Sequence, residues 1–131
     1  MSVQTAAGLV ATAATGTAGP VATAGTLVLF AVFISVTAHL AARNVLGDVP
    51  FRRALVVGIG PSTVAVAGTA LGVPALVTLP TAVLVDWIGI YRSYDGSRGL
   101  AVYIVLIHFV ISILIGTVFV SVALLLASRP G

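Results

Sequence analysis

The stretch that decides the fold is Ala54–Tyr91, ALVVGIGPSTVAVAGTALGVPALVTLPTAVLVDWIGIY, whose one acidic residue is Asp86. As a single helix it would be well over roughly 50 Å long at 1.5 Å per residue, whereas the hydrocarbon core of a bilayer is about 30 Å thick. Gly72-Val73-Pro74 near its middle is a turn signal. The stretch therefore predicts a hairpin of two membrane-spanning helices, residues 54–71 and 74–91.

The composition of the whole chain places this hairpin in a membrane protein. Of 131 residues, 60% are hydrophobic and 7% are charged, whereas a typical soluble domain is about 25% charged. Two further apolar runs, residues 25–42 and 100–127, are also long enough to span a bilayer. We therefore predict an all-α integral membrane protein, a four-helix bundle that crosses the cell membrane several times.

The arginines set the expected orientation of the bundle. The linker before the hairpin and the linker after it contain arginines, whereas the hairpin turn has none. With four spans both linkers fall on one side, which the positive-inside rule makes cytoplasmic, so both termini lie outside (N-out, C-out). Five arginines belong to these linkers and are also expected to attract anionic lipid head groups: Arg43, Arg52, Arg53, Arg92 and Arg98.

The N-terminal segment, residues 1–24, differs in composition from the bundle, residues 25–131. It is rich in Ala, Thr and Gly and contains Pro20, residue types that gain little from lipid or weaken a helix. No positively charged region precedes its apolar residues, as a signal peptide would require. Two interpretations stay open: an extracytoplasmic tail, or a weak extra helix.

Small residues recur at helical spacing in every predicted span. Such stripes let helix backbones approach closely in lipid, where apolar surface alone gives no drive for association. They predict a bundle, and they allow a second copy or another membrane protein as partner without choosing between them. The stripes include Ala31, Ser35, Ala38 and Ala42; Gly58, Ser62, Ala65 and Thr69; Thr78, Ala82 and Gly89; and Ser112, Gly116 and Ala123.

Three ionisable residues interrupt the apolar spans: His39, Asp86 and His108. Each lies three or four positions from a small residue, so each is expected to face the bundle interior. Counted from the cytoplasmic ends of their spans, they lie about 5, 7 and 12 Å deep. Histidine titrates near neutral pH, and two imidazoles with one carboxylate resemble a metal triad, so a proton or metal relay is one interpretation.

The alternative interpretation of these three residues is structural, and we favour it because intramembrane polar groups usually pair or hydrogen-bond. Asp86 would then pair with an arginine at the inner interface, one of Arg43, Arg52 and Arg53. His39 would lie among lipid head groups. His108 would donate a hydrogen bond to a backbone carbonyl or a serine.

Catalytic and cofactor motifs are not found in the sequence. The chain has no cysteine, residues 58–63 lack the lysine of a phosphate loop, and no carboxylate follows Asp95 to hold the metals of a lipid-head-group transferase. The arginines flank apolar runs and form no basic face for nucleic acid. We therefore expect no enzyme activity, no cofactor, no metal and no nucleic-acid partner.

Part of the chain, about residues 36–110, resembles the Yip-type membrane proteins. In that pattern a span ends, a short basic linker with glycine follows, and the next span contains a proline. The matching segments are His39–Arg43, Leu46-Gly47, Phe51–Leu55, Pro61, Trp87–Gly89, Gly96-Ser97 and Ala101. The chain also looks like small haloarchaeal membrane proteins that have no assigned activity.

The Yip resemblance implies a helical bundle without catalytic residues. In eukaryotes that family is linked to vesicle trafficking and small-GTPase partners, but this chain has a shorter N-terminal segment and one predicted span fewer. The trafficking function is therefore not carried over. The sequence favours a structural, assembly or interaction role in the membrane. The alternative is a small oligomeric transporter or channel subunit that uses His39, Asp86 and His108 for proton or ion passage.

Overall fold

The computed structural model describes residues 19–131, and all regular secondary structure in this range is helical. The prediction of an all-α fold with four long helices is thereby confirmed. Residues 1–18, most of the predicted N-terminal segment, lie outside the described residues. The helices are α1 (Pro20–Leu46), α2 (Phe51–Ala70), α3 (Ala75–Ser93) and α4 (Arg98–Ala127).

The first helix begins five residues earlier than the apolar run predicted. Pro20 is its first residue. Proline suits the first position of a helix because the N–H group that it lacks would have no partner within the helix there. Residues 20–24 therefore belong to α1 rather than to a tail. The other bounds differ from the predicted spans by four residues or fewer.

The hairpin turn forms at the glycine that predicted it. Gly72 has a positive φ of 69°, a backbone conformation that residues other than glycine adopt at a cost in free energy. Its N–H bonds to the carbonyl of Thr69 at 3.1 Å, and the N–H of Val73 bonds to the carbonyl of Gly68 at 2.8 Å. This pair of bonds is the Schellman arrangement, which satisfies the last carbonyls of α2.

The four helices close a ring in chain order. Helix α1 packs on α2 and α4, and α3 packs on α2 and α4. Because the linkers, residues 47–50, 71–74 and 94–97, are short, consecutive helices are antiparallel. The first and third linkers therefore lie at one end of the bundle, which we call the basic end. The hairpin turn and the last residues of α4 lie toward the opposite end.

The outer surface of the bundle is apolar. All four helices are long and apolar enough to cross a membrane. In the most apolar window of α4, with a mean hydropathy of 2.8, no residue is buried, and in the corresponding window of α3 11% are buried. Most large aliphatic side chains therefore face outward, which is the reverse of a water-soluble fold.

The tightest packing lies toward the basic end and uses small residues. Ala38, Ala42 and Ala54 are fully buried. Gly58 of α2 packs directly on the backbone of α1: a Cβ there would lie 2.8 Å from the carbonyl oxygen of Ala31. The small-residue stripes of α1 and α2 are therefore the surfaces on which these two helices meet.

Candidate functional site

The interior of the bundle holds a hydrogen-bonded histidine–carboxylate pair between α3 and α4. The Nδ1 atom of His108 lies 2.7 Å from Oδ2 of Asp86, and both side chains are buried. At this distance Nδ1–H donates to the carboxylate. Because Asp86 accepts at Nδ1, the second ring nitrogen, Nε2, is the atom whose protonation distinguishes neutral from charged imidazole.

Two hydroxyl groups extend this pair toward α1. His108 Nε2 lies 3.0 Å from Oγ1 of Thr37, and Ser112 Oγ donates to the same Thr37 oxygen at 3.2 Å. The result is a continuous hydrogen-bonded series, Ser112–Thr37–His108–Asp86, which we call the polar chain. It joins α1, α3 and α4 through side chains alone.

Thr37 satisfies the hydrogen bonding of His108 in either charge state. Besides its contacts in the polar chain, its Oγ1 lies 3.0 Å from the carbonyl oxygen of Phe33 and 3.1 Å from that of Ile34. Beside a neutral imidazole, Thr37 accepts from Ser112 and donates to Nε2. Beside an imidazolium, it accepts from both neighbours and donates to a carbonyl of its own helix, so no heavy atom needs to move.

The polar chain lies about a third of the way along the helices from the basic end. His108 is about 15 Å from the Arg98 end of α4, and Asp86 is about 10 Å from the Ser93 end of α3, at 1.5 Å per residue. Thr37 is fully buried, and Asp86 and His108 are 7% and 4% exposed. In a hydrocarbon core about 30 Å thick, these groups would lie inside the core on the side of the basic end.

His39 does not join the other two predicted site residues. Its ring lies edge-on to Phe51 of α2, with centroids 5.1 Å apart, and its Nδ1 is buried without a partner among the described residues. Of the three candidates, the structure brings together Asp86 and His108. Within residues 19–131 no group of three His, Asp or Glu side chains could hold a metal ion, so the metal triad is not formed.

The predicted partner of Asp86 was wrong. Among the described residues the carboxylate of Asp86 pairs with His108 and not with Arg43, Arg52 or Arg53. All five linker arginines are instead exposed near the basic end. Asp86 lies on the interior face of α3, deeper than the side chains of those arginines.

Buried polar atoms continue from Asp86 toward the basic end. The second carboxylate oxygen of Asp86, Oδ1, and the hydroxyl of Tyr94 have no hydrogen-bond partner among the described residues. Tyr94 follows the last turn of α3 and is 6% exposed. Burial raises the pKa of its phenol, which the nearby Arg53 charge lowers and the Asp86 charge raises by smaller amounts.

Toward the opposite end, the polar chain leads to the protein surface. A shallow cleft of about 400 Å³ lies on the surface of α4, and we call it the α4 cleft. It is lined by Ser112, Ile113, Gly116, Thr117, Val120 and Ser121. Ser112 is therefore both a lining residue of the cleft and a member of the polar chain.

The hydroxyl groups of the α4 cleft differ in their hydrogen bonding from those of α1 and α2. The serines and threonines of α1 and α2 bond to carbonyls of their own helix, as Ser62 does to Gly58 at 2.7 Å. Ser112 donates to another helix instead. Thr117 and Ser121 make no hydrogen bond to another described residue.

Thr37 was missed by the sequence interpretation. Threonine in an apolar helix normally bonds to its own backbone, and nothing local distinguishes Thr37 from Thr26 or Thr63, which do so. Ser112 had a signal, because it lies four residues after His108 on one face of α4.

The series of hydroxyl, imidazole and carboxylate has the connectivity of a serine-hydrolase triad. A nucleophile must be reachable by a substrate, however, and Thr37 has no exposed surface. Its hydroxyl is also shared with two backbone carbonyls of α1. The arrangement is therefore suited to hydrogen bonding and proton exchange rather than to attack on a carbonyl.

Fold and site together define a class: an all-α bundle with four helices of membrane-spanning length and apolarity, held at its centre by a buried His–Asp pair. Residues 17–130 match the model of a family of unknown function, DUF7473. The chain belongs to this family. No curated protein and no solved structure matches the chain.

Proposed function

We propose that the chain is a multi-pass protein of the cell membrane with a structural, assembly or interaction role and no catalytic site. One observation carries this proposal: the most apolar window of α4, with a mean hydropathy of 2.8, has no buried residue. In water such a surface would be strongly unfavourable, whereas in lipid it is the expected outer face. The polar chain then holds the helices together through hydrogen bonds, because apolar contact alone does not drive helices to associate in lipid.

The exposed arginines support an orientation with the basic end in the cytoplasm. Arg52, Arg53 and Arg98 lie at the start of α2 and α4, where the positive end of the helix dipole disfavours them, and neither first turn has an acidic residue. Local helix stability does not explain this placement. The positive-inside bias does, and it also gives these residues anionic lipid head groups as partners.

The unequal lengths of the helices support an interaction role. At 1.5 Å per residue, α1 and α4 are about 40 and 45 Å long, whereas α2 is about 30 Å long. Toward the opposite end α1 and α4 therefore extend past the hairpin turn. Their apolar side chains there, such as Leu29 and Leu125, are 74% and 69% exposed. Lipid, a second copy or another membrane protein would cover this surface.

The family match does not support the Yip type in particular, and a trafficking role is not part of this proposal. An archaeal source is proposed from the likeness of the chain to small haloarchaeal membrane proteins, and its abundance of Ala, Val, Gly and Thr is typical of a GC-rich microbial genome.

Single-cysteine labelling tests the proposed placement, because the chain has no cysteine of its own. Cysteines at Asp48, Gly96 and Leu71 are introduced one at a time and treated in intact cells with a membrane-impermeant maleimide. We expect Leu71→Cys to be labelled from outside, and Asp48→Cys and Gly96→Cys only after the cells are permeabilised. Labelling of positions 48 and 96 from opposite sides would show that the four-span orientation is wrong.

A further inference from the structure

We propose that the bundle holds internal water between Asp86 and the basic end, bound by three buried oxygens: Asp86 Oδ1, the carbonyl oxygen of Val57 and the hydroxyl of Tyr94. The inference goes beyond the structural role and rests on the proposed membrane placement. Its support is that Asp86 and Tyr94 are both more than nine-tenths buried, and that each has an oxygen without a hydrogen-bond partner among the described residues.

The two unpartnered side-chain oxygens lie on the same side of α3. Tyr94 follows Asp86 by eight residues, about two helical turns. Burial raises the pKa of the Tyr94 phenol, the Arg53 charge lowers it and the Asp86 charge raises it, so the hydroxyl lies within electrostatic range of both charges. The other unpartnered atoms, His39 Nδ1 and Trp87 Nε1, belong to half-buried side chains and are not part of the site.

The side chains packed with Tyr94 cannot satisfy these oxygens. Tyr94 belongs to a cluster of buried residues that draws on all four helices. The other members are all aliphatic: Ala38, Ala41, Ala42, Ala54, Val57, Ile90, Ala101 and Ile104. Aliphatic side chains have no hydrogen-bonding atom, so a partner has to come from the backbone or from water.

The backbone adds a third acceptor rather than a donor. Pro61 lies inside α2 and has no N–H, so the carbonyl of Val57, four residues earlier, lacks the donor that a helix normally supplies. Val57 is 1% exposed. The hydroxyl of Ser62, which follows the proline, donates to the carbonyl of Gly58 instead.

Contacts between α2 and α3 put the Val57 carbonyl at the level of Asp86. A Cβ on Gly60 would lie 2.7 Å from Cγ1 of Val85, and a Cβ on Gly89 would lie 3.6 Å from Cα of Val57. Asp86 lies between Val85 and Gly89 on α3. Helix carbonyls point toward the C-terminus, so that of Val57 points toward the level of Gly60. The two acceptors therefore lie in the same layer of the bundle.

Water matches this set of two acceptors and one donor. It donates to Asp86 Oδ1 and to the Val57 carbonyl, and it accepts from the Tyr94 hydroxyl, directly or through a second water molecule. A metal ion has no lone pair to accept the phenol hydrogen. A water molecule needs about 30 Å³, and the Tyr94 ring, which makes no hydrogen bond to a described residue, can shift to admit it without breaking a polar contact.

Water-edited solid-state NMR on the full chain in lipid bilayers tests the proposal. The chain has three acidic residues, all aspartates: Asp86 and the exposed linker residues Asp48 and Asp95. The protein is labelled with ¹³C-aspartate and ¹³C-leucine, and Asp48→Asn and Asp95→Asn assign the carboxyl signals. Magnetisation that starts on water protons should reach the Asp86 carboxyl carbon at the same short mixing times as those of Asp48 and Asp95.

Two variants each remove one of the proposed water contacts. Tyr94→Phe keeps the ring and removes the donor, so the water-derived signal of Asp86 should fall by roughly two- to tenfold, the range that the loss of one hydrogen bond gives in binding. Pro61→Ala supplies the missing N–H to the Val57 carbonyl within α2 and should lower the same signal.

The chain offers a matched control for each variant. Tyr91→Phe removes the hydroxyl of a partly exposed ring that stacks on Trp87. Pro80→Ala supplies an N–H to the carbonyl of Leu76, a residue that is 87% exposed. Both controls should leave the Asp86 signal unchanged.

The same samples separate the water site from the membrane placement. Magnetisation that starts on lipid acyl protons should reach the exposed leucines of α4, such as Leu125. Leucines in contact with lipid beside an Asp86 carbon that receives nothing from water, or an Asp86 signal that either variant leaves unchanged, would overturn the water site alone. Leucines that receive nothing from lipid would refute the proposed membrane placement.

Discussion

His108 of α4 and Asp86 of α3 form the central contact of this bundle, with 2.7 Å between Nδ1 and Oδ2. Two ionisable groups at this depth are unfavourable individually, since each would face hydrocarbon or apolar side chains. Together they satisfy one another, Thr37 bonds to the other ring nitrogen of His108, and Ser112 donates to Thr37. The pair therefore fixes the rotation of α3 and α4 about their axes.

Breaking this pair from one side should destabilise the bundle more than removing it entirely. His108→Leu leaves the Asp86 carboxylate buried without a partner, and we expect the free energy of unfolding to fall by about 3–5 kcal/mol, the usual cost for buried pairs. The double variant Asp86→Leu/His108→Leu should recover part of that loss. Reversible unfolding in detergent micelles measures both. Equal losses in the single and double variants would show that the pair is not coupled.

Gly58→Ala should separate α1 from α2. The added Cβ would lie 2.8 Å from the carbonyl oxygen of Ala31 and from the amide nitrogen of Ser35, backbone atoms that cannot turn away. We expect a loss of about 1–3 kcal/mol in the free energy of unfolding, as for other overpacked sites.

Gly25→Ala is the matched control for Gly58→Ala. It lies inside α1 with no atom within 4 Å of the added Cβ, so the higher helix propensity of alanine should stabilise it by up to about 1 kcal/mol. Thermal unfolding of both variants in the same detergent checks the opposite signs. A neutral Gly58→Ala would mean that α1 and α2 are not in close contact.

Tyr94 should make the protein less stable at alkaline pH. Burial raises the pKa of its phenol above the ordinary 10.0, so the folded chain holds this proton more tightly than the unfolded chain. The free energy of unfolding then falls as the pH increases through and above that ordinary value. Tyr94→Phe should remove this part of the pH dependence and cost little, because the lost hydroxyl has no partner among the described residues.

Tyrosinate absorbance measures the Tyr94 titration directly. The difference between the titrations of the wild-type protein and Tyr94→Phe isolates this phenol from Tyr91 and Tyr103. It should titrate at higher pH than the ordinary value. A Tyr94 that ionises below the ordinary value would show that the Arg53 charge outweighs burial, and that the sign of the predicted pH dependence is wrong.

The candidate site shows how far the sequence could lead. It named Asp86 and His108, because an ionisable residue in an apolar span is conspicuous. The sequence interpretation paired Asp86 with the linker arginines, because opposite charge and nearness to the same end of the span were the only guides to its partner. It also grouped His39 with Asp86 and His108. The actual grouping depends on how each helix is rotated: His39 faces Phe51, whereas Thr37, two residues earlier, faces His108.

The sequence by itself determined the four long helices, the hairpin turn at Gly72 and the concentration of arginines at one end. Each follows from local properties, namely the length of an apolar run, the φ that glycine tolerates and the position of charges along the chain. Only the tertiary structure decided which polar atoms meet. The registers and rotations of α1, α3 and α4 are set by side chains packed across all three helices, so Thr37, His108 and Asp86 become neighbours only in the folded bundle.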